Sequence, residues 1–168
     1  MTTRSTLVFL TLLFITGMSA VMGESLPAIE VHGLKFTPPM AFSAPASAGL
    51  DALRVVHPAD AKPGGEKLSC TAVAFPKDSG MSDAELLDYV ATTFLAASGP
   101  GKPVERTLLG KKVAGRTLEK KIPAPSLAEV YVATKKDGNK VVFGFVFTPA
   151  FAKEADKAVA GIAASLKE

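Results

Sequence analysis

Two apolar runs near the end of the chain, residues 130–134 and 141–147, predict neighbouring strands. Between them, Asp137 and Gly138 suit the two left-handed positions of a type I′ turn, which predicts a hairpin with a two-residue loop. In that register Phe143 pairs with Val132 and Phe145 pairs with Val130, on a face that we expect to be buried. The opposite face would then carry Tyr131 across from Gly144, together with Val142 and Val146.

Two amphipathic helices are predicted. The first begins with the capping box Ser82-Asp83-Ala84-Glu85 and ends at Ser98-Gly99-Pro100. The second follows the hairpin at once, with Thr148 as its cap and Pro149 in its first turn. Their apolar stripes are Leu87, Val90, Ala91, Phe94 and Leu95 in the first helix, and Phe151, Ala155, Val159, Ile162 and Leu166 in the second.

Shorter patterns complete the order of elements. Residues 26–32 have no strong period, and residues 44–49 have the composition of a loop. Strands are predicted at 33–37, 53–57, 68–75, 104–109 and 112–118, the last two joined by a type II′ turn at Gly110-Lys111. The order of strands, helix, two hairpins and helix predicts an α+β domain, an antiparallel sheet with helices packed on it.

The first residues have the layout of a secretory signal peptide. A short positive start ending at Arg4 precedes an apolar run at 7–15 and a stretch rich in small residues at 17–23. We expect cleavage after Gly23, so that 24–168 form a single exported domain, periplasmic or secreted. A retained membrane anchor is the alternative, but it would need about 20 apolar residues.

Composition limits the chemistry. The single cysteine, Cys70, lies in a predicted strand and is expected to be a buried apolar residue, because one cysteine makes no internal disulfide. The net charge of the 168-residue chain is +3. This near balance argues against nucleic-acid binding driven by overall charge. His32 and His57 lie in different predicted segments, without the close spacing of a zinc-binding motif, so neither a metal nor another cofactor is expected.

Residues 110–117 nearly match a phosphate-binding P-loop, but Arg116 stands where that motif has lysine. No apolar helix follows, which favours a turn and a strand over a nucleotide site. The same region is rich in basic residues, and these suggest either a solvated sheet edge or a surface for an acidic protein or an anionic membrane. The candidate patch comprises Lys111, Lys112, Arg116, Lys120 and Lys121. Three carboxylates, those of Asp83, Glu85 and Asp88, are better explained as helix stabilisers than as a catalytic cluster.

This order of elements resembles the family that groups the photosystem II protein PsbP with the Ran-binding protein Mog1 and related exported bacterial proteins. The resemblance rests on the entry strand at 34–38, the helix capped by Ser82, the segment 110–114, the hairpin at 131–147 and the closing helix. It implies an α/β/α sandwich and a non-enzymatic role as an assembly factor, adaptor or binding protein.

The sequence therefore predicts an exported, non-enzymatic binding, assembly or adaptor protein of the cell envelope. Two alternatives stay open. One is a carrier of a small apolar ligand with a cavity between sheet and helix, and the other is a hydrolase. A computed model separates the first alternative from the main hypothesis if the interface between sheet and helix leaves no room for a ligand.

Overall fold

The computed structural model describes residues 26–57, 67–120 and 125–168. The predicted signal peptide lies outside them. Within these residues, nine strands and two α-helices follow one another along the chain. They are β1 (Ile29–Val31), β2 (Leu34–Phe36), β3 (Ala46–Gly49), β4 (Ala52–Val56), β5 (Leu68–Phe75), α1 (Asp83–Thr93), β6 (Ser98–Leu108), β7 (Lys111–Lys120), β8 (Ser126–Thr134), β9 (Lys140–Phe147) and α2 (Ala152–Ser165).

Seven strands form one antiparallel sheet in the order β3-β4-β5-β9-β8-β7-β6, and β1 pairs with β2 in a separate hairpin. Side chains of the sheet point alternately to its two faces. One face packs against α1, and the other packs against α2 and the β1–β2 hairpin. We call these the α1 face and the α2 face. The predicted α+β fold, an antiparallel sheet with helices on it, is confirmed.

The β8–β9 hairpin forms, but its predicted register was wrong by one residue. Tyr131 pairs with Phe143, and Thr134 pairs with Lys140. The Lys135 carbonyl accepts from the Gly138 N–H at 3.1 Å, and Gly138 alone is left-handed in this turn, at φ +86°. The loop thus has three residues and a glycine bulge in place of a type I′ turn.

The corrected register redistributes side chains between the two faces. Phe143 and Phe145 are buried on the α2 face, as predicted, but they share it with Tyr131. Val130 and Val132 lie with Val142 on the α1 face. The predicted pairing of Tyr131 with Gly144 is therefore wrong.

The β6–β7 hairpin also differs from its prediction by one position. Leu108 pairs with Lys111, so the loop is Leu109-Gly110 and Lys111 belongs to a strand. Both loop residues are left-handed, at φ +51° and +74°, as a type I′ turn requires. The predicted type II′ turn at Gly110-Lys111 is corrected accordingly.

Helix α1 begins as predicted. The Ser82 hydroxyl accepts from the Glu85 N–H at 3.3 Å, and the Glu85 carboxylate accepts from the Ser82 N–H at 2.7 Å. The helix ends at Thr93, before the predicted stop at Gly99, and Ala96 takes the left-handed conformation at φ +51°. The predicted stripe is buried except for Phe94, which is half-buried.

Helix α2 carries the predicted stripe, with Ala155, Val159, Ile162 and Leu166 buried and Phe151 half-buried. A short 3-10 turn, Pro149–Phe151, precedes it, and Thr148 makes no side-chain capping bond there. Two predictions near the start of the chain were wrong. Strand β1 forms within the segment 26–32, where no strand was predicted, and β3 forms in the predicted loop at 44–49.

Candidate functional site

A groove lies on the α1 face between the first half of helix α1 and the β6–β7 hairpin. Helix α1 packs mainly over β8 and β9 at the centre of the sheet. The helix has only 11 residues, about 16 Å of length, so the outer strands extend beyond its cover. Ala114 of β7 and Pro103 of β6 are consequently exposed on that face.

The groove has a volume of about 650 Å³. Its floor is apolar, because Leu87 of α1 and Val132 of β8 contribute nearly buried side chains. Small side chains at Ala84 and Ala114 keep it open. The remaining lining residues are Asp83, Pro100, Gly101, Pro103, Leu108, Lys111, Lys112, Val113, Gly115, Arg116 and Thr134.

Two ion pairs tie helix α1 to the sheet. Arg116 of β7 is paired with Asp88, and Lys140 of β9 lies 2.6 Å from Asp83. Within the part of the chain that the structure describes, Lys111 and Lys112 have no ion-pair partner, and both are exposed. Lys112 points to the α1 face and therefore supplies unneutralised positive charge to the groove. Lys111 lines the groove at the start of β7, although strand alternation directs its side chain to the other face.

The five residues of the predicted basic patch are not brought together as one surface. The α1 face of β7 carries Lys112, Arg116 and Lys120. Successive members of this set are four residues apart, which is about 13 Å along a strand. Lys111 is next to Lys112 in the strand, so its side chain points to the opposite face. Lys121 lies outside the described residues. Arg116 is neutralised by Asp88. Lys111, Lys112 and Arg116 line the groove; Lys120 does not.

The segment that resembles a P-loop forms the β6–β7 turn and the first part of β7. The turn-and-strand interpretation is thus confirmed.

The three carboxylates of α1 have structural partners. Glu85 belongs to the capping box, and the hydrogen bond from the Ser82 backbone holds the pKa of its carboxyl below the ordinary value.

Sequence reasoning missed a second polar cluster, on the α2 face. Arg106 of β6 donates through Nε to the Tyr131 hydroxyl at 3.3 Å and is ion-paired with Asp156 of α2. Glu129 of β8 accepts from the Tyr131 hydroxyl and lies 3.4 Å from Arg106. The cluster fastens α2 to two strands. The sequence shows that Glu129 and Tyr131 point to the same face of their strand, but their approach to Arg106, across the intervening strand β7, depends on the order of strands in the sheet.

Burial raises the pKa of Tyr131, and its hydrogen bond to Glu129 and that carboxylate's charge raise it further. Burial alone would lower the pKa of Arg106. Its hydrogen bonds to Asp156 and Tyr131 outweigh that effect and raise the pKa. The cluster therefore remains ion-paired, with Tyr131 protonated, at neutral pH.

The histidines and the cysteine do not converge. His32 Nε2 lies 3.1 Å from the Ala72 carbonyl oxygen, whereas the His57 ring packs against Phe42 and Phe151. His57, directly after β4, is half-buried. Cys70 is buried as predicted, and burial raises the pKa of its thiol. The described residues contain no cluster of three or more potential His, Cys, Asp or Glu metal ligands.

Comparison with known proteins identifies no family. No family model and no curated protein sequence matches the chain. Among solved structures, the chain is similar to LpqN, described as involved in cell envelope biogenesis of Mycobacterium tuberculosis. The identity is 13%, the TM-score is 0.42, and the match covers 80% of this chain and 90% of LpqN. At that similarity the match carries no functional argument. Neither described helix is long and apolar enough to cross a bilayer.

Proposed function

We propose that the protein is an exported, non-enzymatic binding protein of the cell envelope, acting as an adaptor or assembly factor. The groove between α1 and the β6–β7 hairpin is the observation that carries this proposal. It is open to solvent, apolar on its floor and positively charged at Lys112. Such a combination fits a partner segment with apolar side chains beside carboxylates.

A protein segment is favoured over a membrane surface as the occupant. Lipid headgroups form a plane, and strong attachment to them needs several cations that face the same way. Lys111 and Lys112 are adjacent on one strand and so point to opposite faces, and Arg116 is already paired with Asp88. A short segment entering the groove can instead meet the apolar floor and one or both lysines.

The proposed resemblance to PsbP and Mog1 would supply a role of the same kind. It depends on the order of elements, and strands, capped helix, two hairpins and closing helix follow one another in that order here. The family and the export of the chain are part of the proposal.

The test is affinity capture from an envelope fraction with the wild-type protein and two groove variants. Lys112→Glu reverses one of the unpaired charges, and Ala114→Glu narrows the groove at an exposed position. We expect the wild type to retain a specific protein and both variants to lose it. Lys153→Glu and Ala150→Glu, at exposed positions outside the groove, are matched controls that should retain it.

Two results would contradict the proposal. One is capture of the same protein by wild type and groove variants alike, which would locate binding elsewhere. The other is recovery of no partner together with turnover of a substrate in a panel of hydrolase assays, which would favour the enzyme hypothesis.

A small apolar ligand is the second candidate, and the size of the groove favours it. Its volume of about 650 Å³ falls within the range of about 300–1,000 Å³ typical of small-molecule sites. Native mass spectrometry of the protein purified from its own envelope distinguishes the two candidates. A carrier would show an added small-molecule mass that disappears in Ala114→Trp. A purely protein-binding groove would show none.

A further inference from the structure

The seven-stranded sheet has two edges that differ in their protection against further strand pairing. At one edge, β6 contains Pro100 and Pro103, a register irregularity between Ser98 and Lys102, and several charged side chains. Prolines, charges and bulges are the usual means by which edge strands avoid pairing with other chains. The β6 edge is therefore protected.

The other edge, strand β3, carries no charged side chain that would discourage pairing with another strand. All four residues of β3, Ala46-Ser47-Ala48-Gly49, are exposed, small and uncharged. No charged residue occurs from position 37 to position 50. Because β3 is bonded to β4 on one side only, the backbone groups on its other side face solvent. A bulge between Ser47 and Gly49 shortens this edge but places no charge on it.

Exposed apolar side chains lie near the β3 edge. Leu50, directly after β3, is 87% exposed, and Tyr89 of α1 is 44% exposed. The Tyr89 ring makes edge-to-face contacts with Phe75 and Phe94. Phe94 is close enough to Gly49 that a Cβ there would lie 3.2 Å from its ring. The exposed aromatic flank of α1 is thus continuous with the edge strand.

We propose that the β3 edge is a self-association surface, at which a second copy of this chain pairs antiparallel with the first. Charge supports this occupant, because two identical uncharged strands meet without like-charge repulsion. Symmetry supports it as well. A two-fold axis perpendicular to the sheet keeps both α1 helices on the same face of a continuous fourteen-stranded sheet. Tyr89 of one copy and Tyr89 of the other then lie on the same face of the continuous sheet, one on each side of the seam.

Sedimentation equilibrium of the protein, purified as the cell processes it, tests this inference. The weight-average mass of the wild type should rise with concentration toward twice the monomer mass. Ala46→Lys puts like charges at the seam, and Leu50→Ser removes the exposed apolar side chain. Each should weaken association at least about tenfold. Both positions are exposed, so at concentrations where the wild type is monomeric the thermal unfolding of each variant, followed by circular dichroism, should match that of the wild type.

Thr107→Lys is the matched control, since it adds the same charge to the exposed face of the β6 edge. It should associate as the wild type does. A wild type that stays monomeric at every concentration overturns the inference, and so does a dimer that survives either Ala46→Lys or Leu50→Ser. Loss of association only in Thr107→Lys would place the interface at β6. None of these results depends on the occupant of the groove.

Discussion

At the scale of single residues, two glycines determine how closely neighbouring groups approach. A Cβ at Gly115 would lie 2.4 Å from both Tyr131 Cδ1 and the Val130 carbonyl oxygen. A Cβ at Gly144 would lie 2.6 Å from Leu95 Cδ1. Backbone and a packed ring cannot easily retreat, whereas the end of a leucine side chain can rotate. The two sites should therefore respond differently to the same substitution.

We expect Gly115→Ala to lower the free energy of unfolding by about 2–3 kcal/mol, near the upper end of the overpacking range, and Gly144→Ala by less. Urea denaturation followed by circular dichroism measures both. Ala114→Ser, an exposed neighbour, should change the stability by less than about 0.5 kcal/mol. Equal losses of stability in the two glycine variants would contradict this expectation, because they would mean that the Leu95 side chain moves away no more easily than the Tyr131 ring.

The Arg106 cluster gives a pH dependence that can be assigned to one group. The raised pKa of Tyr131 in the folded protein means that the unfolded chain loses this proton first. Below about pH 10, the ordinary tyrosine value, both states are protonated and Tyr131 contributes no pH dependence. Above it, stability falls as pH rises.

Urea denaturation of the wild type and Tyr131→Phe across pH 8 to about pH 11 tests this assignment. The difference in unfolding free energy should be constant up to about pH 10. It should then shrink, because the variant lacks the titrating hydroxyl. A difference that stays constant through the whole range would mean that the hydroxyl titrates alike in both states.

At the scale of elements, the end of α1 offers the clearest prediction. Ala96 is exposed and left-handed at φ +51°, just after the helix. Glycine is favoured at this position because it has no Cβ to strain. Ala96→Gly should therefore stabilise the protein by about 0.5–1 kcal/mol in thermal or urea unfolding. Thr93→Gly, at the last residue of the helix and also exposed, should destabilise it. A loss of stability in Ala96→Gly would contradict the proposed strain.

Except for β1 and β3, the types of the elements could be predicted from the sequence, but the registers of the two hairpins could not. In both hairpins glycine occupies the last loop position, Gly110 in one and Gly138 in the other. The predictions assigned Gly110 to the first position of its loop and gave the Gly138 loop too few residues. Strand β9 is apolar on both faces, so its side chains offer no alternation that would reveal a slip.

The end of α1 was mispredicted for a related reason. Gly99 and Pro100 are strong local signals for the end of a helix, but tertiary packing ends α1 several residues earlier. Leu95 covers Gly144, Ala97 is buried, and strand β6 has already begun at Ser98. Such contacts depend on residues far along the chain, which local pattern does not contain.

At the scale of the whole molecule, export is a prediction that can be checked by mass. The protein recovered from its native envelope should lack residues 1–23, within a few positions, because the first residues have the layout of a cleavable signal. Intact-mass spectrometry measures this directly. A full-length mass would instead indicate an anchored protein.

The candidate site was only partly predictable at this scale. Alternation along one strand is enough to place Lys112, Arg116 and Lys120 on one face. The ion pair between Arg116 and Asp88 could not be predicted from the sequence, because it depends on where α1 crosses the sheet. The groove itself was hidden as well, since it results from a short helix on a wide sheet.

Site-specific photo-crosslinking shows directly whether this groove binds a partner segment. A photoreactive residue at Ala114 faces the groove, and one at Ala150 is an exposed control outside it. In the native envelope we predict a discrete crosslinked protein from position 114 that Lys112→Glu diminishes, and none from position 150. Identical products from both positions, or none from position 114, would contradict the account.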